Sequence, residues 1–275
     1  MKDLTTKKFW ESGYVNLDLT PMPEDYPIVK ELRKAFSPSD KNVNSTGQNI
    51  NKGRSIFEIG CFPGRFLYHF GKWGFNLNGA DQTDHLDELT TWFKKENFDV
   101  GDFIQGDIFK VDIEKSKKYD VVFSSGFVEH FTNFEEVISM HARFVNDHGY
   151  IFLTAPNFAG SVQKKLHSYL DDKNLSAHHL PAMDVEVWSK VLKNEGFDII
   201  KAGYLGGFDF WVAPQDNPFY KKFLVKLLRV FMPIRFVPDN RAYSPVARTP
   251  NFVHESCIIT NNIYKYENTQ NSTRG

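Results

Sequence analysis

The chain has little cysteine, no long apolar run and no excess of either charge. Its 275 residues include only two cysteines, Cys61 and Cys257, which lie far apart and have no partner at the spacing of a metal or redox motif. The cysteines therefore predict neither a disulfide framework nor a zinc site. No residue is assigned as a metal ligand.

Charge and hydropathy bear on two further classes of protein. The 33 basic and 34 acidic residues nearly cancel, so the chain lacks the broad positive field that drives nucleic-acid binding. The opening residues, MKDLTTKKFW, lack the apolar run of a secretory signal, and no stretch of about 20 apolar residues is present to cross a bilayer. A nucleic-acid partner is disfavoured, and a cytoplasmic location is predicted.

Short apolar segments alternate with helical patterns from Ser55 onward. The predicted strands are SIFEIG, NLNGAD, DFIQGDIF, YDVVFSSG, GYIFLTAPN, FDIIKAGYL and, after a long excursion, VHESCIITNNI. Between them, apolar residues recur three or four positions apart, as they do on one face of a helix. The pattern predicts an α/β fold with a doubly wound, mostly parallel, seven-stranded Rossmann-like sheet whose last strand is antiparallel.

The regions around this alternation suggest a division of the chain. Residues 1–54 are predicted to form an N-terminal helical cap, with a helix beginning near Pro27, followed by a polar loop. Residues 55–263 form the main domain and carry a helical insertion at 209–252 before the last strand. Residues 264–275 are predicted to be a flexible tail.

The insertion contains a basic amphipathic helix within NPFYKKFLVKLLRVFMP. Its basic residues share one arc of the helix, and its aromatic and aliphatic residues share the other. Two interpretations stay open: packing on the domain or at a dimer contact, or contact of residues 219–232 with a membrane surface or a lipid-linked substrate. Residues 206–220 combine glycines with aromatics and are predicted to form a lid over the acceptor.

The segment SIFEIGCFPGRF, residues 55–66, is a buried strand that breaks into glycines before a helix begins. In open α/β sheets, ligands bind beyond the carboxyl ends of the strands. A dinucleotide site needs G-x-G-x-x-G, but Phe62 and Arg65 stand where the second and third glycines would fall. Glu58, two residues before Gly60, would repel a diphosphate and attract an ammonium group. The turn therefore favours a zwitterionic amino-acid ligand.

This turn, together with acidic residues that end the next two strands, resembles the class I S-adenosylmethionine-dependent methyltransferases over roughly residues 55–263. The resemblance implies S-adenosyl-L-methionine as the cofactor. The implied cofactor-binding residues are Glu58, Gly60, Cys61, Phe62 and Gly64 at the first strand, Asp81 and Gln82 at the second, Asp107 and Ile108 at the third, and Ser125 and Gly126 at the fourth. The first and last groups would hold the methionine portion.

The resemblance also implies individual roles. Asp81 would accept both ribose hydroxyls, and Asp107 would accept a hydrogen bond from the adenine amino group, with Ile108 against the ring. Phe62 departs from the family pattern, in which glycine is common, and its side chain either narrows the pocket or points away. Cys61 is interpreted as a small apolar filler of the turn. Taken singly, an acid that ends a strand is more often a helix cap or part of a solvated turn than a ligand contact.

Three histidines are the candidate catalytic residues. His130 lies in VEHF after the fourth strand, and His178 and His179 lie in SAHHLPAMDVEVW before the next helix. An alcohol acceptor must lose its proton to a base, whereas a neutral amine can attack first. His130 and His179 are ranked first, and the alternative for each histidine is a packing or backbone-bonding role.

The sequence thus predicts an enzyme that moves a methyl group to an O or N atom of a small-molecule or saccharide-type acceptor. Two alternatives are kept: an NAD(P)-dependent Rossmann oxidoreductase, and a non-catalytic domain that binds S-adenosylmethionine. Trp10 and Tyr14 are candidates to fold over the cofactor, with core packing as the alternative. The oligomeric state is not predicted.

Overall fold

The computed structural model describes residues 3–14, 19–37, 51–112, 117–159, 161–205, 218–231 and 255–262. The helices are α1 Lys7–Tyr14, α2 Pro27–Phe36, α3 Leu67–Lys72, α4 Leu86–Lys95, α5 Phe134–Ala142, α6 Ser161–Leu170, α7 Asp172–Ser176, α8 Val185–Asn194 and α9 Phe219–Phe231. The strands are β1 Ser55–Ile59, β2 Asn76–Asp81, β3 Val100–Gln105, β4 Tyr119–Ser125, β5 Val145–Pro156, β6 Phe197–Leu205 and β7 Glu255–Asn262.

The strands form one sheet in the order β3-β2-β1-β4-β5-β7-β6. Strands β1 to β5 pair in parallel, and β7 lies antiparallel between β5 and β6. The predicted fold class, including the antiparallel last strand, is confirmed. The strand order reverses between β1 and β4, so their carboxyl ends flank the crevice where such sheets bind ligands.

Helices cover both faces of the sheet. Adjacent residues of β1 point to opposite faces, so Ile56 packs in one apolar cluster and Phe57 in the other. The first cluster contains buried residues of α2, α3 and α4, and the second contains buried residues of α5 and α8. These two cores cover both faces of the central strands β1, β2 and β4, whereas the edge strands β3 and β6 keep exposed residues.

Helix α2 shows how the N-terminal region joins this fold. It begins at Pro27, as its sequence predicts, and buries Ile28, Leu32 and Phe36 along one face. Those side chains share a cluster with α3 and α4. The side chain of Asn51 donates to the carbonyl of Phe36 at 2.7 Å, which fixes the chain as it enters β1.

Helix α9 lies within the predicted insertion. Val225 is buried and, with Leu224, packs against Leu166 and Leu170 of α6. Four other aromatic and aliphatic residues of the helix are exposed, namely Phe219, Tyr220, Phe223 and Leu227. Packing on the domain is therefore observed for one part of the helix. Residues 206–217, which make up most of the lid predicted at 206–220, lie outside the described residues. Residues 232–254 and the tail 264–275 lie outside them as well.

No helix in the described part of the chain combines the length and apolarity that a membrane span requires. The domain bounds drawn from the sequence stay a prediction.

Candidate functional site

The glycine turn after β1 uses its backbone amides internally. The amides of Gly60 and Cys61 both donate to the carbonyl of Ala80, at 2.9 and 3.2 Å, and the amide of Gly64 donates to the carbonyl of Cys61 at 2.7 Å. Phe62 donates to a side chain at the end of β2. These amides already donate to acceptors in the turn and on β2. They therefore do not form the N–H cradle that a diphosphate requires.

Glu58 lies on β1 just before this turn and is only 4% exposed. Its carboxylate accepts a hydrogen bond from the amide of Leu67 at the start of α3. Its Oε2 atom is buried and has no hydrogen-bond partner among the described residues. Burial, and secondarily the charge of Asp81, raise the pKa of Glu58 well above its ordinary value. A cationic ligand would supply the missing partner and favour the ionised carboxylate.

Asp81 ends β2 with both carboxylate oxygens held in place. Oδ2 accepts from the amide of Phe62 at 3.0 Å, and Oδ1 accepts from the amide of Thr83 at 2.9 Å. An ionised carboxylate has about four acceptor sites, so Asp81 can still accept from a further donor such as a ribose hydroxyl. Burial raises the pKa of Asp81, and hydrogen bonds from Phe62, Thr83 and Gln82 oppose that shift. The Gln82 side chain is exposed.

The end of β3 lies beside Asp81. The amide of Gly106 donates to the carbonyl of Asp81 at 2.8 Å, which joins the ends of β2 and β3. Asp107 caps the short 3-10 helix Ile108–Lys110, because its Oδ1 accepts from the amide of Phe109 at 3.0 Å. The capping alternative is thus observed, and it leaves Oδ2 facing Lys110 Nζ at 3.4 Å. Ile108 is buried at 4% exposure in the core.

Cys61 and Phe62 both pack into the protein core. A Cβ atom added to Gly79 would come within 2.7 Å of the Cys61 side chain, so Cys61 fills the space above that glycine. The Phe62 ring is 7% exposed and lies 5.6 Å from the ring of His85. The sequence left open whether Phe62 narrows the pocket or points away from it. In the structure the ring is packed in the apolar cluster with α3 and α4.

Gly64 is required by the packing of the turn. Its φ is +77°, and an added Cβ would lie 2.3 Å from Leu89 Cδ1 and 2.7 Å from Phe93 Cζ. Gly60, with φ +73°, is less crowded, because its added Cβ would meet the ring of Phe127 at 3.1 Å. Gly64 therefore maintains the contact between the turn and α4.

We expect Gly64→Ala to destabilise the protein by about 1–2 kcal/mol, because alanine would be strained at this φ and would displace Leu89. Urea unfolding of both proteins measures the difference. Gly53→Ala is the matched control: its φ is +88°, and nothing lies within 4 Å of an added Cβ. Equal losses in the two variants would show that the backbone conformation alone sets the cost and that contact with α4 adds nothing.

Ser125 and Gly126 end β4 on the other side of the crevice. Ser125 Oγ accepts from Thr154 Oγ1 at 2.9 Å, and the amide of Gly126 donates to the carbonyl of Thr154 at 2.9 Å. Gly126 has φ +66°. Both residues are thereby fixed to β5, and the chain turns at Gly126 toward the predicted histidines.

Two of the three predicted histidines meet around a glutamate. Glu129 is fully buried, and its Oε1 lies 3.6 Å from Nε2 of His130 and 4.0 Å from Nε2 of His178. We call these three residues the Glu129 cluster. An added Cβ on Gly126 would lie 3.5 Å from Glu129 Oε1, so the cluster adjoins the end of β4.

The tautomers of both histidines follow from their partners. Nδ1 of His130 lies 2.7 Å from the carbonyl of Ala177, and Nδ1 of His178 lies 2.6 Å from the carbonyl of Asn174. A carbonyl can only accept, so the proton of His178 is on Nδ1 and its Nε2 has a lone pair. The His130 ring also bonds the carbonyl of Gly126, and we assign its proton to Nδ1, the nitrogen that makes the 2.7 Å contact with Ala177. Burial, followed by the charge of His178, lowers the pKa of His130 to about 3. Burial lowers the pKa of His178 to about 4.

His179 lies outside this cluster. Its amide donates to the carbonyl of Glu129 at 2.6 Å, while its ring lies 5.8 Å from the ring of Phe134. The structure therefore pairs His130 with His178, and the higher rank given to His179 has no geometric support. Sequence reasoning did not single out Glu129, although it directly precedes His130.

Helix α1 lies over the crevice. Lys7 Nζ contacts Asp84 at 2.7 Å, just after β2, and the Trp10 ring lies edge-on to the His130 ring at 4.8 Å. The amide of Leu4 also donates to the carbonyl of His130 at 2.8 Å. The N-terminal segment thus joins the ends of β2 and β4. The side chain of Tyr14 is outside the described part of the structure.

Comparison with known proteins identifies the family. The sequence model of a family described as a methyltransferase domain matches residues 31–202, more than half of the chain. A search of the curated proteins finds no match. The chain belongs to this methyltransferase family. The predictions that it is a methyltransferase and that its cofactor is S-adenosylmethionine are thereby confirmed.

Solved structures share the fold at low identity. A putative methyltransferase from Bacillus halodurans C-125 has a TM-score of 0.52 and 17% identity, covering 78% of this chain and 93% of that one. The YcgJ protein from Bacillus subtilis has a TM-score of 0.51 and 14% identity, covering 77% and 92%. Magnesium protoporphyrin IX methyltransferase from Synechocystis PCC 6803, crystallised with S-adenosylhomocysteine, has a TM-score of 0.50 and 14% identity, covering 92% of each chain.

Proposed function

We propose that this protein transfers the methyl group of S-adenosylmethionine to an O or N atom of a small-molecule or saccharide-type acceptor. The observation that carries the proposal is the pair of carboxylates at the ends of β1 and β2. Glu58 has a buried oxygen without a hydrogen-bond partner in the described part of the chain, and Asp81 presents two fixed oxygens beside it. An ammonium group and two ribose hydroxyls are the complementary ligand groups.

The proposed cofactor supplies an electrophilic methyl group on a sulfonium centre. The chain's own part is to bind, orient and exclude water, since an in-line displacement depends mainly on alignment. In this assignment Glu58 holds the amino-acid portion and Asp81 the ribose. Asp107, Ser125 and Gly126 keep their predicted roles, because their strand ends lie along the same edge of the sheet.

The acceptor would lie on the β4 side of the crevice. There, Nε2 of His178 is a hydrogen-bond acceptor, because its Nδ1 donates to a carbonyl. Nε2 of His130 is also an acceptor in the tautomer whose Nδ1 donates to Ala177. Helix α1 covers this side, with Trp10 against His130. A covered site and a nearly neutral chain favour a small molecule or a saccharide over a nucleic acid. A cytoplasmic location stays a prediction.

The turn geometry disfavours the oxidoreductase alternative. A nicotinamide dinucleotide needs free amides for its pyrophosphate, whereas the amides of Gly60, Cys61 and Gly64 are used within the protein. The buried carboxylate of Glu58 would also repel the phosphates. The non-catalytic alternative shares the whole cofactor site, so only an activity measurement separates it from the proposal.

We expect the protein to transfer label from methyl-labelled S-adenosylmethionine to at least one member of a panel of hydroxylated small molecules, amines and saccharides. Mass spectrometry of the acceptor identifies the methylated atom. Asp81→Ala is the negative control, because it removes the proposed ribose contact. Binding of S-adenosylhomocysteine without transfer to any acceptor would support the non-catalytic alternative.

A further inference from the structure

The Glu129 cluster brings three potential metal ligands together inside the protein. Their ligand atoms all lie within 4.8 Å of one another, and each residue contributes one. Glu129 is 0% exposed and His130 is 3% exposed. In the described part of the chain, no other group of three histidine, cysteine or acidic residues has this arrangement.

The two imidazoles are oriented as metal-bound histidines usually are. Each donates Nδ1–H to a backbone carbonyl, from Ala177 and from Asn174. This second hydrogen bond fixes the ring and leaves Nε2 as the ligand atom, which is the common outer-shell arrangement of metal-binding histidines. Both Nε2 atoms point toward the same carboxylate oxygen, Oε1 of Glu129.

We propose that Glu129, His130 and His178 bind one divalent transition-metal ion. Two imidazole nitrogens and a carboxylate oxygen are ligands that suit Zn²⁺, Mn²⁺, Fe²⁺ or Co²⁺. Ligands about 2.1 Å from a tetrahedral ion are about 3.4 Å apart. The observed separations from Glu129 Oε1 are 3.6 and 4.0 Å, and the two imidazole ligand atoms lie within 4.8 Å of each other, so the three ligands would contract around the ion.

The site has coordination positions left for a ligand from outside. Three protein ligands leave at least one position on a four-coordinate ion, as in catalytic metal sites. Glu129 adjoins Gly126 at the end of β4, so the bound ion would lie at the β4 end of the crevice. An acceptor oxygen bound there would be polarised by the ion. This role rests on the proposed methyl transfer, whereas metal binding itself does not.

The test measures metal binding without cofactor or acceptor. The full chain is treated with a chelator, desalted and titrated by calorimetry with Zn²⁺ and, separately, with Mn²⁺. We expect one ion of at least one of these metals to bind per chain. Glu129→Gln and His178→Ala should each weaken that binding by at least 10–100-fold, about the range for loss of an outer-shell partner.

A matched control distinguishes the cluster from surface binding. His85 also lies near a glutamate, with Nδ1 3.0 Å from Glu88 Oε1, but it is on the surface. We expect His85→Ala to bind metal as the unaltered protein does. Circular dichroism of the metal-free variants checks folding, and Co²⁺ gives an independent readout: its visible absorption should appear in the unaltered protein and be lost in His178→Ala.

The proposal is overturned if the folded protein binds neither ion, or if both cluster variants bind as tightly as the control. Stabilisation by S-adenosylhomocysteine, measured in parallel, separates the two proposals. A protein that responds to S-adenosylhomocysteine but binds no metal would retain the proposed function without this site. A protein that binds metal but is not stabilised by S-adenosylhomocysteine would retain this metal site without the proposed function.

Discussion

Asp81→Asn should lose most of the thermal stabilisation that S-adenosylhomocysteine gives the unaltered protein. Both oxygens of Asp81 already accept backbone hydrogen bonds, and the carboxylate has acceptor capacity left for a ribose hydroxyl. An asparagine amide nitrogen can only donate, and at least one ligand contact would be lost along with the charge. Charged hydrogen bonds contribute about 1.5–3 kcal/mol each.

The expected size follows from mass action. At about 100 times its dissociation constant, the ligand stabilises the unaltered protein by about 2.7 kcal/mol, and after a loss of about 100-fold in affinity the gain is about 0.4 kcal/mol. Differential scanning fluorimetry with and without ligand reports the difference. Asp87→Asn is the matched control, because that carboxylate is exposed in the first turn of α4. An equal response of Asp81→Asn and the control would refute the ribose assignment.

The fold was largely predictable because its signals are local. Each strand carries its own apolar run, and the helix at Pro27 shows both a favourable first residue and one apolar face. Parallel strands place their carboxyl ends along one edge, so acids that end β1 and β2 were expected to meet. The electrostatic effect of Asp81 on Glu58 is consistent with that expectation.

The histidine site was only partly predictable because it depends on tertiary contacts. His178 and His179 are adjacent in sequence, and no local pattern tells which ring turns toward β4. The carbonyl of Asn174 orients the His178 ring locally, four residues away, whereas the carbonyl of Ala177 reaches the His130 ring only after α7 has packed. A metal site was not predicted because only cysteine spacing was considered, whereas the candidate ligands are a glutamate and two histidines.

Glu58→Gln should change stability and cofactor affinity in opposite directions. Burial and the charge of Asp81 raise the pKa of Glu58. The pKa is therefore higher in the folded than in the unfolded chain, and the stability that Glu58 contributes is present at low pH and lost as pH rises through the folded value. Glutamine carries no charge and can still accept from the amide of Leu67. The free variant should be more stable than the unaltered protein at pH 8, by about 1–2 kcal/mol, and this gain should shrink toward pH 5.

Affinity for S-adenosylhomocysteine should fall in the same variant. An ammonium group paired with a buried carboxylate loses about 2–5 kcal/mol when one partner is made neutral, which is a loss of at least about 30-fold in affinity. The affinity of the unaltered protein should rise with pH as Glu58 ionises, whereas that of Glu58→Gln should not follow this titration. Calorimetric titrations and urea unfolding from pH 5 to pH 8 measure both quantities. The exposed Glu186→Gln is the control. If Glu58→Gln were more stable but bound the ligand unchanged, Glu58 would be a buried acid of the fold and the ammonium contact would lie elsewhere.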